Sequence, residues 1–79
     1  MAVRAFVLVQ TKPGTSEDIV GTRRVRGVKL ANSVFGRFDA AVVLEAKNLE
    51  ELKRNIYEML EKMPGVTHTE TLLCLPSVE

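Results

Sequence analysis

Residues 38–65 read "FDAAVVLEAKNLEELKRNIYEMLEKMPG", and two periodicities meet inside this one stretch. From Ala40 to Leu44 every position is apolar, the pattern of a strand covered on both faces. From Leu49 onward the apolar residues fall at Leu49, Leu52, Ile56, Met59, Leu60 and Met63, which is helical spacing. Glu50–Arg54, Arg54–Glu58 and Glu58–Lys62 set opposite charges four residues apart on the solvated side. Asn48 followed by Glu51 resembles a capping box, and Pro64-Gly65 stops the helix. A central strand therefore feeds an amphipathic helix.

Working outward, "VTHTETLLCL" (66–75) supplies a last strand that Pro76 ends. Toward the N-terminus, "VRAFVLVQ" (3–10) is a strand broken at Pro13-Gly14. A short helix is predicted over 16–24: Thr15 or Ser16 can cap it, Glu17 and Asp18 suit its positive end, and Arg23 and Arg24 its negative end. Gly21 weakens it from inside. After Gly27, the positions Val28, Leu30, Asn32 and Val34 fall on one side of a further strand. "VRGVKLANSVF" (25–35) and "MPGVTHTETLL" (63–73) echo each other, each joining a helix end to a Gly-Val step and a strand. The order is βαββαβ, which predicts a ferredoxin-like α+β fold: a four-stranded antiparallel sheet with two helices on one face.

A chain of 79 residues makes one small domain, and small domains commonly need a supplement to their core. The single Cys74 excludes an intrachain disulfide and a Cys-rich zinc site, which leaves oligomerisation. The apolar N-terminal run is too short to span a bilayer and has no small-residue cleavage site, so a cytoplasmic location without membrane contact is expected. A net charge of +1 gives no global electrostatic case for nucleic acid. In the first strand Val3, Ala5, Val7 and Val9 occupy one face while Phe6 and Leu8 occupy the other. Both faces of the sheet are thus apolar. The helices cover only one, so a sheet-to-sheet homodimer, a dimeric α/β sandwich or barrel, is predicted as the minimum unit.

Candidate chemistry is sparse. His68 and Cys74, six residues apart in one strand, would stand about 20 Å apart, too far to share a metal or act as nucleophile and base. The bland reading is an edge-strand His and a small buried Cys; the competing one is a dimeric α+β barrel enzyme using His68 as acid or base. "RRVRGVK" (23–29) concentrates positive charge, but without the strand aromatics of an RNA-binding sheet it reads as a solvated helix end.

"GRFD" (36–39) differs, because a bare two-residue hairpin would favour Asn-Gly or Asp-Gly. Asp39 can accept from an ammonium group, Gly36 lets a ligand approach the backbone, and Phe38 offers an apolar wall, parts that suit a zwitterionic amino acid. Equally, the stretch can be only a turn with Asp39 bonding its own backbone. In the last strand Thr67, Thr69 and Thr71 share one face, so Thr69 and Thr71 can offer two hydroxyls to a small ligand, or serve simply as good strand formers.

"AFVLVQTKPG" (5–14), "VFGRFDAAVVLEAKNLEEL" (34–52) and "MPGVTHTETLLCL" (63–75) together resemble the effector-binding domain of the leucine-responsive/asparagine regulator (Lrp/AsnC) family, the regulation of amino acid metabolism (RAM) domain. The resemblance covers about residues 3–76. It implies dimers paired through their sheets, octamers or similar rings of dimers, and amino acids bound between dimers, with no catalysis and no cofactor. Position by position it implies that Gly36 and Phe38 shape the loop over the ligand, that Asp39 takes the α-amino group, and that Thr69 and Thr71 line the pocket opposite. Three departures stand out. No residues precede the first strand to form a helix-turn-helix, so a module without direct DNA binding is expected, one that could co-assemble with full-length regulators. Phe35 stands where a small polar residue is usual and would narrow the pocket, and Arg37 stands where an acidic residue is frequent and would favour an acidic ligand side chain. An ACT-like domain is a third reading, with the same ligand class at different loops.

Overall fold

The computed structural model describes residues 2–75, without the side chains of Ser16 and Glu17. The Ser16 cap, the Glu17 charge and the Pro76 stop read from the sequence therefore lie outside the described residues. The elements are β1 (Val3–Thr11), a 3₁₀ helix (Ser16–Arg24), β2 (Val28–Ser33), β3 (Ala40–Ala46), α1 (Leu49–Glu61) and β4 (Val66–Leu73). The sheet order is β2-β3-β1-β4 with antiparallel neighbours throughout, the ferredoxin-like α+β arrangement. The apolar run 40–44 lies in β3, an interior strand. Its even positions Ala40, Val42 and Leu44 are fully buried, as are Ala5, Val7 and Val9 of β1. Ile19, Val25, Leu52, Met59 and Met63 close over them, so both helices cover the same face.

α1 begins as the sequence indicates. The Asn48 side chain accepts from the Glu51 N–H at 2.8 Å, but the reciprocal bond is displaced: Glu51 Oε1 accepts from the N–H of Lys47 at 3.0 Å. The charge pairs along α1 do not close; among the described residues the one ion pair is Arg4–Glu45. Solvated long side chains gain too little to hold one geometry.

The first helix occupies the expected residues but winds as 3₁₀. Asp18 N–H donates to the Thr15 carbonyl at 3.1 Å and Val25 N–H to the Thr22 carbonyl at 3.0 Å, both three residues back. The buried Thr22 hydroxyl follows the same spacing, donating to the Ile19 carbonyl at 2.6 Å. Asp18, Ile19, Val20, Gly21 and Thr22 are all weak α-helix formers, which makes the tighter winding accessible. Thr15 is not a side-chain cap: its hydroxyl turns back to the Lys12 carbonyl at 2.6 Å.

β2 also departs from simple alternation. Val28 pairs with Leu44 but Leu30 with Val43, so a bulge at Lys29 reverses the facing. Ala31 turns into the core and Leu30 to the open face.

That open face carries an apolar row across all four strands. Leu30 pairs with Val43, Val43 with Phe6, and Phe6 with Leu72. Leu30 is 59%, Phe6 40% and Leu72 50% exposed. The row is flanked on one side by Arg4 opposite Glu45 and on the other by Asn32, Ala41, Leu8 and Glu70 in register.

Candidate functional site

β2 and β3 are joined by residues 34–39, a loop longer than a two-residue turn. It is closed by the Val34 N–H on the Asp39 carbonyl at 3.0 Å. Gly36 has φ +138°, a conformation that favours glycine, and it has open space around its Cα. Phe35 is fully exposed and Phe38 half-buried.

β1 holds the loop at three points. Asp39 N–H donates to the Val9 carbonyl at 2.8 Å, Gln10 Nε2 donates to the Arg37 carbonyl at 2.9 Å, and Asp39 Oδ2 accepts from the Thr11 N–H at 2.8 Å. The Thr11 donor lies at an irregularity in the β1–β4 ladder: Gln10 pairs with His68 but Thr11 with Val66, leaving Thr67 as the extra residue. Asp39 thus bonds the backbone of a neighbouring strand and not its own. Among the described residues no second donor bonds the Asp39 carboxylate. The part played by Gln10 and Thr11 could not be read from the sequence, because it depends on a register between strands 28 residues apart.

Thr69 and Thr71 share a face, as the alternation predicts, and that face is the helix side. Thr69 pairs with Val9 and Thr71 with Val7, both core residues. Thr71 lines an apolar groove of about 330 Å³ between α1 and β4 with Leu49, Leu52, Lys53, Ile56, Tyr57 and Leu73. Asp39 belongs to the opposite parity of β3 and lies beyond the intervening strand β1. Within one copy of the chain, the Gly36–Asp39 loop and the two threonines line no common pocket among the cavities described.

His68 is exposed on the open face, opposite Gln10. Cys74 follows β4, half-buried, its N–H donating to the Arg4 carbonyl at 2.9 Å. Among the described residues no three His, Cys, Asp or Glu side chains cluster as metal ligands, and no helix is long and apolar enough to cross a membrane. Arg23 is not simply solvated, since its Nε donates to the Ala31 carbonyl at 3.0 Å and clamps the 3₁₀ helix to β2.

Comparison with known proteins bears on this geometry. A family model described as the Lrp/AsnC ligand binding domain matches residues 4–79. Among solved structures, a hypothetical protein from Pyrococcus horikoshii is 32% identical with a TM-score of 0.82, over 92% of this chain and 89% of that one. A protein from Thermus thermophilus is 26% identical with a TM-score of 0.85, over 98% of both chains. A transcriptional regulator from Neisseria meningitidis, solved as a complex with L-Met, has a TM-score of 0.77 at 16% identity, a likeness of fold. This chain is covered to 98% in that match and spans 52% of the regulator. No curated protein gives a significant match.

Proposed function

This chain belongs to the Lrp/AsnC ligand-binding domain family, and we propose that it works as an amino-acid-sensing and assembly module without catalysis of its own. Its minimum unit is a homodimer paired through the open sheet faces. Dimers associate into octamers or similar rings, and a free amino acid sits where dimers meet. The signal reaches transcription by co-assembly with, or competition for, full-length cytoplasmic regulators of the same family.

The observation that carries this reading is the apolar row Leu30–Val43–Phe6–Leu72, whose Leu30, Phe6 and Leu72 are exposed in the single chain and which the Arg4–Glu45 pair borders. An apolar centre with a polar rim is the anatomy of a protein interface. At about 25 cal/mol per Å² of apolar area, covering these side chains contributes several kcal/mol, a large fraction of a small domain's stability.

The ligand half follows from what one copy lacks. Asp39, with Gly36 and Phe38, forms one wall and receives the ammonium group; Thr69 and Thr71 form the other. Because the two walls do not meet within one chain, a site using both draws them from different copies. The L-Met complex of the Neisseria regulator supports the ligand class.

Native mass spectrometry with and without a mixture of the common amino acids tests both halves. Multiples of a dimer carrying amino-acid masses are expected; a stable folded monomer at micromolar concentration would refute the assembly. Calorimetry with the captured amino acid should show Asp39→Asn weakening binding roughly ten- to a hundredfold, the loss of a charge-assisted bond. That variant keeps a side-chain oxygen for the Thr11 N–H, whereas Asp39→Ala removes it as well. Equal affinity in both variants and the parent would remove Asp39 from the site.

A further inference from the structure

A second concavity lies on the opposite side of the molecule from the open sheet face, where the segment after the 3₁₀ helix meets α1. Arg24 at the end of that helix and Arg26 just after it, with Glu51, Arg54, Asn55 and Glu58 from α1, line a cleft of about 640 Å³. This volume lies within the range of small-molecule sites. Arg23, at the start of the basic run, is turned away onto Ala31, so the run is divided between a structural clamp and the cleft wall.

Three features give the cleft a chemical direction. None of Arg24, Arg26 and Arg54 has a carboxylate within ion-pair distance among the described residues. Glu51 and Glu58 offset only two of the three guanidinium charges, and Glu51 already accepts from the Lys47 N–H, so the cleft keeps a net positive charge. Asn55 is only 2% exposed, and its Nδ2 has no hydrogen-bond partner. The fold holds that amide in place: a Cβ added at Gly27, where φ is +87°, would stand 2.7 Å from Asn55 Nδ2 and 2.7 Å from the Glu45 carbonyl oxygen. Guanidinium groups present paired N–H donors that match oxyanions.

We propose that this cleft binds a small oxyanionic metabolite through a phosphoryl or carboxylate group. The oxyanion lies between Arg26 and Arg54, next to the Asn55 side chain, while Glu58 receives a hydroxyl or amino donor elsewhere on the same molecule. This site lies within one chain and does not depend on assembly or on Asp39.

The test is a ¹⁵N–¹H NMR titration of the full chain with pyrophosphate and, separately, with citrate, against sodium chloride at matched ionic strength. A saturable one-to-one shift of the Asn55 side-chain amide is expected, weakened about tenfold in both Arg26→Gln and Arg54→Gln with unchanged circular dichroism. Tighter pyrophosphate binding assigns a phosphoryl ligand, and tighter citrate binding a carboxylate. Shifts that do not saturate, that sodium chloride reproduces, or that survive both substitutions would overturn the site.

Discussion

On the helix side of the sheet Val7, Val9, Val42 and Leu44 have no exposed surface, whereas on the other side Leu30, Phe6 and Leu72 retain between 40% and 59% of theirs. The residue types are similar and both sets belong to one sheet. What differs is the partner: the 3₁₀ helix and α1 cover one face, and nothing in the chain's described residues covers the other. Alternation along a strand tells which residues share a face, but it does not tell what will lie against them. The contrast separates what holds one copy together from what the proposed pairing would cover.

The largest expected effect belongs to the covered face. Leu44→Ala should lose about 2–5 kcal/mol in denaturant unfolding, because the fully buried side chain leaves a cavity between β3 and the helices. A loss below about 1 kcal/mol would mean that this core is loosely packed. On the open face Phe6→Glu should leave the circular dichroism of the fold intact but weaken dimerisation by roughly a hundredfold in sedimentation, since pairing would bury an unpartnered charge. Unaltered association would show that copies do not meet through the Leu30–Val43–Phe6–Leu72 row. The smallest change is expected at the border. Arg4 and Glu45 are 39% and 21% exposed, so Glu45→Gln should alter stability of the single chain by only about 0–1 kcal/mol. A larger change confined to the assembled form would place the pair inside the interface.

Element order, all four strands and both helix positions were legible in residues 3–73, because Pro13-Gly14, Gly27 and Pro64-Gly65 punctuate runs of clear period. Family membership was legible from the loop, the second helix and the Thr-rich strand together. Three things were not. The 3₁₀ winding follows from a balance of weak propensities over Asp18–Thr22 that no periodicity reveals. The bulge at Lys29 places Leu30 and Val28 on opposite faces, where strict alternation would unite them. The second cleft draws Arg24 and Arg26 from one segment and Arg54 and Asn55 from another, so it exists only after the chain has folded. Of the candidate effector site, the residues were named by resemblance, while the division of Asp39 from Thr69 and Thr71 between two faces needed the sheet register.

The bond from the Thr11 N–H to the Asp39 carboxylate has a use as an instrument. The β1–β3 ladder ends at the Val9–Ala40 pair, so past it this amide proton is held by a side chain and not by a strand carbonyl. Its hydrogen-exchange rate is therefore a gauge of the loop: slow while the carboxylate stays home, fast when Asp39 is drawn toward another charge. The neighbouring ladder amides of β1 provide the internal clock against which that one proton can be timed.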